Sequence, residues 1–123
     1  MPIREGIPGS IVSSKENPRV LTGIMIVTDG VGKIEEVVQE DDENLLAKAS
    51  LTENDLSFVR EIILSTDTIP VLMRNRDICG LAYDMKRHEG KILFSVKIRK
   101  GTYPDLARAI SNGYIDAFDP ILE

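Results

Sequence analysis

The chain has 123 residues, 42% hydrophobic and 28% charged, which fits one domain able to bury its own core without covalent staples. A single cysteine, Cys79, and a single histidine, His88, leave no basis for an internal disulfide or a Cys/His zinc site. A net charge of -5 argues against the basic surface that general nucleic-acid binding needs, and no apolar run approaches the roughly 18–20 residues of a bilayer span. The N-terminus, MPIREGIPGS, lacks the basic region and apolar core of a secretory signal. The expectation is a soluble chain made in a reducing compartment, with no membrane partner, no metal and no cofactor.

Residues 1–18 hold Pro2, Pro8 and Pro18 with Gly6 and Gly9, a composition that suits neither helix nor central strand, so they are expected to form an extended arm preceding one domain over 19–123. Val20 to Val27 is apolar and β-branched. With Asp29-Gly30 and the run Lys33 to Gln39 it predicts a β-hairpin, followed by an exposed acidic loop, Glu40 to Glu43. Between Leu51 and Ser65, Thr52 and Asp55 resemble a capping box, and Leu51 with Leu56 has the spacing of a hydrophobic staple. Leu56, Val59, Ile62 and Ile63 then share one face, so a helix covering a sheet is predicted.

Ile69 to Met73 reads as a short strand whose Pro70 places it at a strand start or an edge. Gly80 to Met85 and Lys91 to Ile98 flank the turn Lys86 to Gly90 and predict a second hairpin. In its later strand Ile92, Phe94, Val96 and Ile98 alternate with Lys91, Leu93, Ser95, Lys97 and Arg99, giving one buried face and one largely wet. Pro104 at a first helical position and Gly113 past an end bracket a second helix, and Tyr114 to Phe118 predicts a last strand stopped by Pro120. The fold class is therefore α+β: a small barrel-like mixed or antiparallel sheet with two main helices and an extended N-terminal arm.

Charge is unevenly distributed. Ten Asp/Glu stand between Glu35 and Asp67 against Lys48 and Arg60, whereas eight Lys/Arg stand between Arg74 and Lys100. Such a dipole favours head-to-tail contact between copies or docking on a charged partner. Ile3, Arg4, Ile7 and Ile11 in the arm, with Arg87, Lys91, Lys97 and Arg99 around the hairpin, are the candidate partner-binding residues.

Nucleophilic catalysis needs a Ser or Cys beside a base. The lone His88 falls in the turn KRHEG, and the hydroxyls weighed against it are Ser95 and Ser111. Cys79 follows Arg74 and Arg76, which would favour a thiolate, but at a strand start without a His partner it reads better as core. The acidic run Glu40 to Glu43 lacks the ligand spacing of a calcium loop, and no glycine-rich stretch is followed by the Lys-Ser/Thr of a nucleotide cradle. A basic hairpin with Tyr83, Phe94 and Tyr103 would suit RNA only if Phe94 faced outward, and its alternation places it inside.

The run from Ile69 to Ile121, with IPVLMRNRD, CGLAYDMKRHEGKILFSVKI and TYPDLARAISNGYIDAFDPIL, resembles the catalytic half of the caudoviral prohead proteases, which are related to herpesvirus assemblins. The resemblance rests on element order and apolar pattern and implies a small β-barrel surrounded by helices. It also implies that the family's first His falls at Asn75, beside Arg76, and its nucleophilic Ser at Asp119. Asn has no titratable nitrogen, and Asp does not replace Ser as an acyl-forming nucleophile. The implied function is a non-enzymatic viral head component, a capsid decoration or cement protein or an assembly helper. Its implied partner is the major capsid protein or its own copies, and its place the virion or the host cytoplasm. The competing readings are a divergent active protease using Ser111 or Ser95 with His88, and a cellular binding module for RNA or a metabolite.

Overall fold

A computed structural model describes residues 19–28, 30–52, 62–63 and 68–122. Among the described residues eight strands and one helix follow in chain order: β1 (Arg19–Val27), β2 (Gly32–Glu40), β3 (Asn44–Thr52), β4 (Ile62–Ile63), β5 (Thr68–Leu72), β6 (Ile78–His88), β7 (Lys91–Arg99), α1 (Pro104–Ser111) and β8 (Ala117–Leu122). Seven strands close a mixed barrel in the order β1-β5-β6-β7-β3-β2-β8, with β8 returning to β1, and β4 lies beside β1. β1 runs parallel to β4 and β5; the other pairs are antiparallel.

Period-two alternation fills the interior. β3 sends in Leu45, Ala47, Ala49 and Leu51, and β7 sends in Ile92, Phe94, Val96 and Ile98. Ala47 lies opposite Val96 and Ala49 opposite Phe94, so small residues face larger ones and leave room inside a narrow barrel. Into that room comes Phe118 from β8, its ring 5.9 Å from that of Phe94 at a tilt of 54°. Burying a side chain of this kind contributes about 1.5–3 kcal/mol.

α1 joins β7 to β8 across one end of the barrel and buries Leu106, Ala107 and Ile110. Pro104 starts it, where the missing N–H costs nothing. It ends in a Schellman arrangement: Gly113, at φ 80°, donates to Ile110 O at 3.1 Å, and Tyr114 N donates to Ala109 O at 2.8 Å. Tyr103 Oη ties the start of the helix to Ile78 O at 3.1 Å.

Several expectations need correction. β1 and β2 do not form a hairpin, because β8 lies between them and pairs with both. The hairpin partner of β2 is β3, across the acidic turn at 41–43. At the ends of the expected helix, Leu51 and Thr52 finish β3, where Leu51 pairs with Ile92, and Ile62–Ile63 forms β4. The rest of that segment lies outside the described residues, as does the expected arm over 1–18. Among the described residues α1 is thus the one helix where two were expected. β5 is not an edge: it stands between β1 and β6, although its ladder with β1 begins at Val71, just past Pro70. β6 runs on to His88, so the turn shrinks to Glu89-Gly90, both at positive φ (50° and 79°). β8 starts at Ala117 and passes through Pro120, which is tolerated because β2 pairs with β8 only at Ala117 and Phe118.

Gly80 lies so close to β7 that a Cβ would stand 2.0 Å from Lys97 O, whereas one at Gly101 would meet nothing within 4 Å. In urea denaturation Gly80→Ala is expected to lower stability by about 1–3 kcal/mol, and Gly101→Ala to leave it nearly unchanged.

Candidate functional site

The turn between β5 and β6 is built by its own side chains. Met73 N donates to Asp77 O and Arg76 N to Met73 O, each at 2.8 Å, with Arg76 at φ 75°. Asn75 Oδ1 accepts from Asp77 N, and Asn75 Nδ2 donates to Asp77 Oδ2, both at 3.0 Å. Asn75 thus spends both ends of its carboxamide on shaping this turn.

Asp119 lies on a different element. In β8 it pairs with Met25, and Met25 pairs with Leu72. The adjacent row contains buried Ile24 and Val71, so Asp119, Met25 and Leu72 form a half-buried row on the outer wall. β1 lies between the strands that carry the two positions, which separates them by about 10 Å across the sheet.

Beside Asn75, at the end covered by α1, is an open depression of about 440 Å³ with a floor of Ile26, Val27, Met73, Leu106 and Ile115 and a rim of Thr28, Arg74 and Asn75. A second, smaller hollow of about 290 Å³ lies on the outer faces of β2, β3, β7 and β6, where Ser50 Oγ donates to Glu35 Oε2 at 2.7 Å amid Lys48, Lys86, Lys91, Glu36 and Asp84. Among the described residues no group of three or more His, Cys, Asp or Glu could hold a metal ion.

His88 ends β6 opposite Lys91, exposed, with Nε2 3.3 Å from Glu89 Oε2. Ser95 is four residues along β7 from Lys91, about 13 Å at the rise of a strand. Ser111 is at the other end of the barrel and donates to Glu40 Oε2 at 3.0 Å. Neither hydroxyl therefore has His88 as a base. Cys79 is fully buried, its Sγ 3.4 Å from Val71 O, and burial pushes the thiol up to about 11. It is a core residue, not a thiolate.

The candidate partner-binding cations are not all on one face. Lys91, Lys97 and Arg99 occupy the outward row of β7, but Arg87 pairs with the inward Ile92, a consequence of the bulge at Asp84 and Met85 that shifts the register of β6. Asp84 takes φ 55° there. Ile3, Arg4, Ile7 and Ile11 lie outside the described residues.

What sequence reasoning missed is the linkage of acid and base at the helix end. Lys100 Nζ meets Glu40 Oε1 at 2.6 Å, and Asp41 Oδ1 accepts from Asn44 N at 2.6 Å and Glu43 N at 2.8 Å. The only hint in the sequence was an Asp at the head of a four-residue turn. Compared with models of known families, with curated proteins and with solved structures, the chain matches none. Among the described residues no helix is long and apolar enough to cross a membrane.

The Lys100 ammonium and the Ser111 hydroxyl hold Glu40 below its ordinary 4.5, and the Asn44 and Glu43 amides hold Asp41 below its ordinary 3.8. A carboxylate depressed by folding stabilises the fold above its unfolded value and loses that contribution as pH falls through its folded value. The β2–β3 turn is therefore expected to loosen only below about pH 4.5. In a carboxyl-detected NMR titration both midpoints should lie below those ordinary values, and Lys100→Ala should raise that of Glu40 while leaving Asp41 nearly in place. Separately, Cys79 is expected to resist a thiol reagent at pH 8 until denaturant unfolds the barrel.

Proposed function

We propose that this chain is a non-enzymatic component of a viral head, a decoration, cement or assembly protein that binds the major capsid protein. The observation that supports the reading is the strand, turn, hairpin, helix and strand order over 69–121, built into a small closed barrel; the sequence resemblance, in turn, aligns Asn75 and Asp119 with the base and nucleophile of the prohead proteases. Asn75 is a turn-shaping residue whose carboxamide takes no proton near neutral pH. Asp119 offers a carboxylate where acyl transfer to protein needs a hydroxyl. The separation of His88 from Ser95 and Ser111 likewise favours binding over cleavage. In this reading the protein works in the host cytoplasm during assembly and stays with the virion.

Co-sedimentation with capsid-protein assemblies from the same source tests the reading. Stoichiometric binding is expected, with both proteins intact on a denaturing gel after prolonged incubation. Failure to pellet with the assemblies would overturn the head-protein reading, and cleavage of the capsid protein would overturn its non-enzymatic part.

A further inference from the structure

Among the described residues the outer surface carries two apolar patches on opposite walls. On the first wall Leu72 pairs with Ile78 and Pro70 with Leu81, and all four are outward because Ile69, Val71, Cys79 and Ala82 fill the interior side. Ile78 is 51% exposed and Leu81 37%. The rim of this patch is mainly basic: Lys97 stands beside Leu81 in the β6–β7 register, and Arg74 and Arg76 are exposed in the turn that follows β5, against Asp77 in the same turn and the half-buried Asp119 in the row of Leu72. None of the three cations has an ion pair among the described residues.

The second patch is Val37 and Val38 on β2, 38% and 48% exposed. Val37 is in register with buried Ala47, so a regular pleat would take one of two consecutive residues inside. The register shift between Val37 and Gln39 is a bulge that leaves both in solvent. This rim is mainly acidic, with Glu36 on the strand and Asp42 and Glu43 in the turn beyond it, all exposed, against Lys48 across from Glu36 on β3.

In the ring, two strands separate β6 from β2 in one direction (β7, β3) and two separate β5 from β2 in the other (β1, β8). The β5–β6 wall and the β2 wall are therefore diametrically opposed. The geometry points to a second copy of this chain as the partner of each patch: the acid-rimmed valines of one copy dock on the base-rimmed β5–β6 wall of the next. Either wall against itself would bring like charges together, which disfavours a two-fold dimer. Opposed, complementary walls give a head-to-tail contact that repeats into rings or chains. This contact stands independently of the viral reading.

Sedimentation velocity of the full chain over a wide concentration range at low salt tests it. Species larger than dimers are expected to grow with concentration and to shrink when salt is raised. Leu81→Glu and Val38→Glu change exposed positions on different walls, and each alone is expected to abolish growth beyond the monomer. Mixed in equal amounts they retain one native pair of walls and should form a 1:1 dimer that grows no further. A wild-type chain that stays monomeric would overturn the proposal, as would a self-association that both substitutions leave intact or a mixture that stays monomeric. Should either substitution prevent folding, Val38→Cys mixed with Leu81→Cys under oxidation decides the matter: a heterodimeric disulfide supports the contact, and only homodimeric or no cross-links overturn it.

Discussion

The return of the last strand to the first is the constraint on which the barrel depends. β8 pairs with β1 from Ala117 to Leu122, yet with β2 only at Ala117 and Phe118, so one strand both completes the ring and forms its thinnest seam. Phe118 secures that seam from inside by meeting Phe94 on the far wall. Gly30 admits the chain on the other side, since a Cβ there would lie 2.2 Å from Phe118 O. The short helix α1 sets the direction: its Schellman end and the Ile34 N to Asp116 O bond at 2.9 Å deliver the chain to the start of β8. Closure also joins residues at the two ends of the sequence, so the core cannot be completed by local pairing alone.

Local patterns in the sequence identified strands well and neighbours poorly. β7 was legible because its alternation is unbroken, and α1 because Pro104 and Gly113 bracket it. β3 was missed. Its inward residues are Leu45, Ala47, Ala49 and Leu51, and alanine has a weak strand preference, so the pattern is evident only when Val96 and Phe94 stand opposite. The same strand claimed Leu51 and Thr52, which local capping chemistry assigns to a helix start; pairing with Ile92 and Lys91 overrode it. Pro70 and Pro120 are local signs of an edge or an end, but each occupies a position where one neighbouring ladder has not begun or has already finished. The β1–β2 hairpin failed because a turn signal says nothing about a third strand inserted from the far end of the chain.

The candidate site shows the same division. That Phe94 faces inward followed from local sequence, because alternation is short-range. That Arg87 is out of line with Lys91, Lys97 and Arg99 did not, because it depends on the bulge at Asp84, a non-glycine residue at positive φ that carries no compositional mark. In the proposed reading the fold outlasts its chemistry for a physical reason. The barrel is specified by its interior residues and turns, and the positions that would carry catalysis lie on an outer wall and in a turn, where replacement leaves the core unchanged. Asn75 even strengthens its turn by bonding Asp77 twice.

Closure also constrains how such a molecule can associate. A paired barrel offers few free backbone edges, and among the described residues the partly open stretch of β2 beyond Lys33 is poorly suited to strand addition. Its ends are held by Asp116 and Ser111, two bulges break its repeat, and Glu35, Glu36 and Glu40 would meet any added strand with negative charge. Recognition must then proceed through side chains on the walls, where specificity comes from the placement of charge around apolar patches. A bulge that spoils a strand edge while leaving two valines in solvent serves both ends at once: it discourages indiscriminate sheet extension and leaves a side-chain surface for a defined partner.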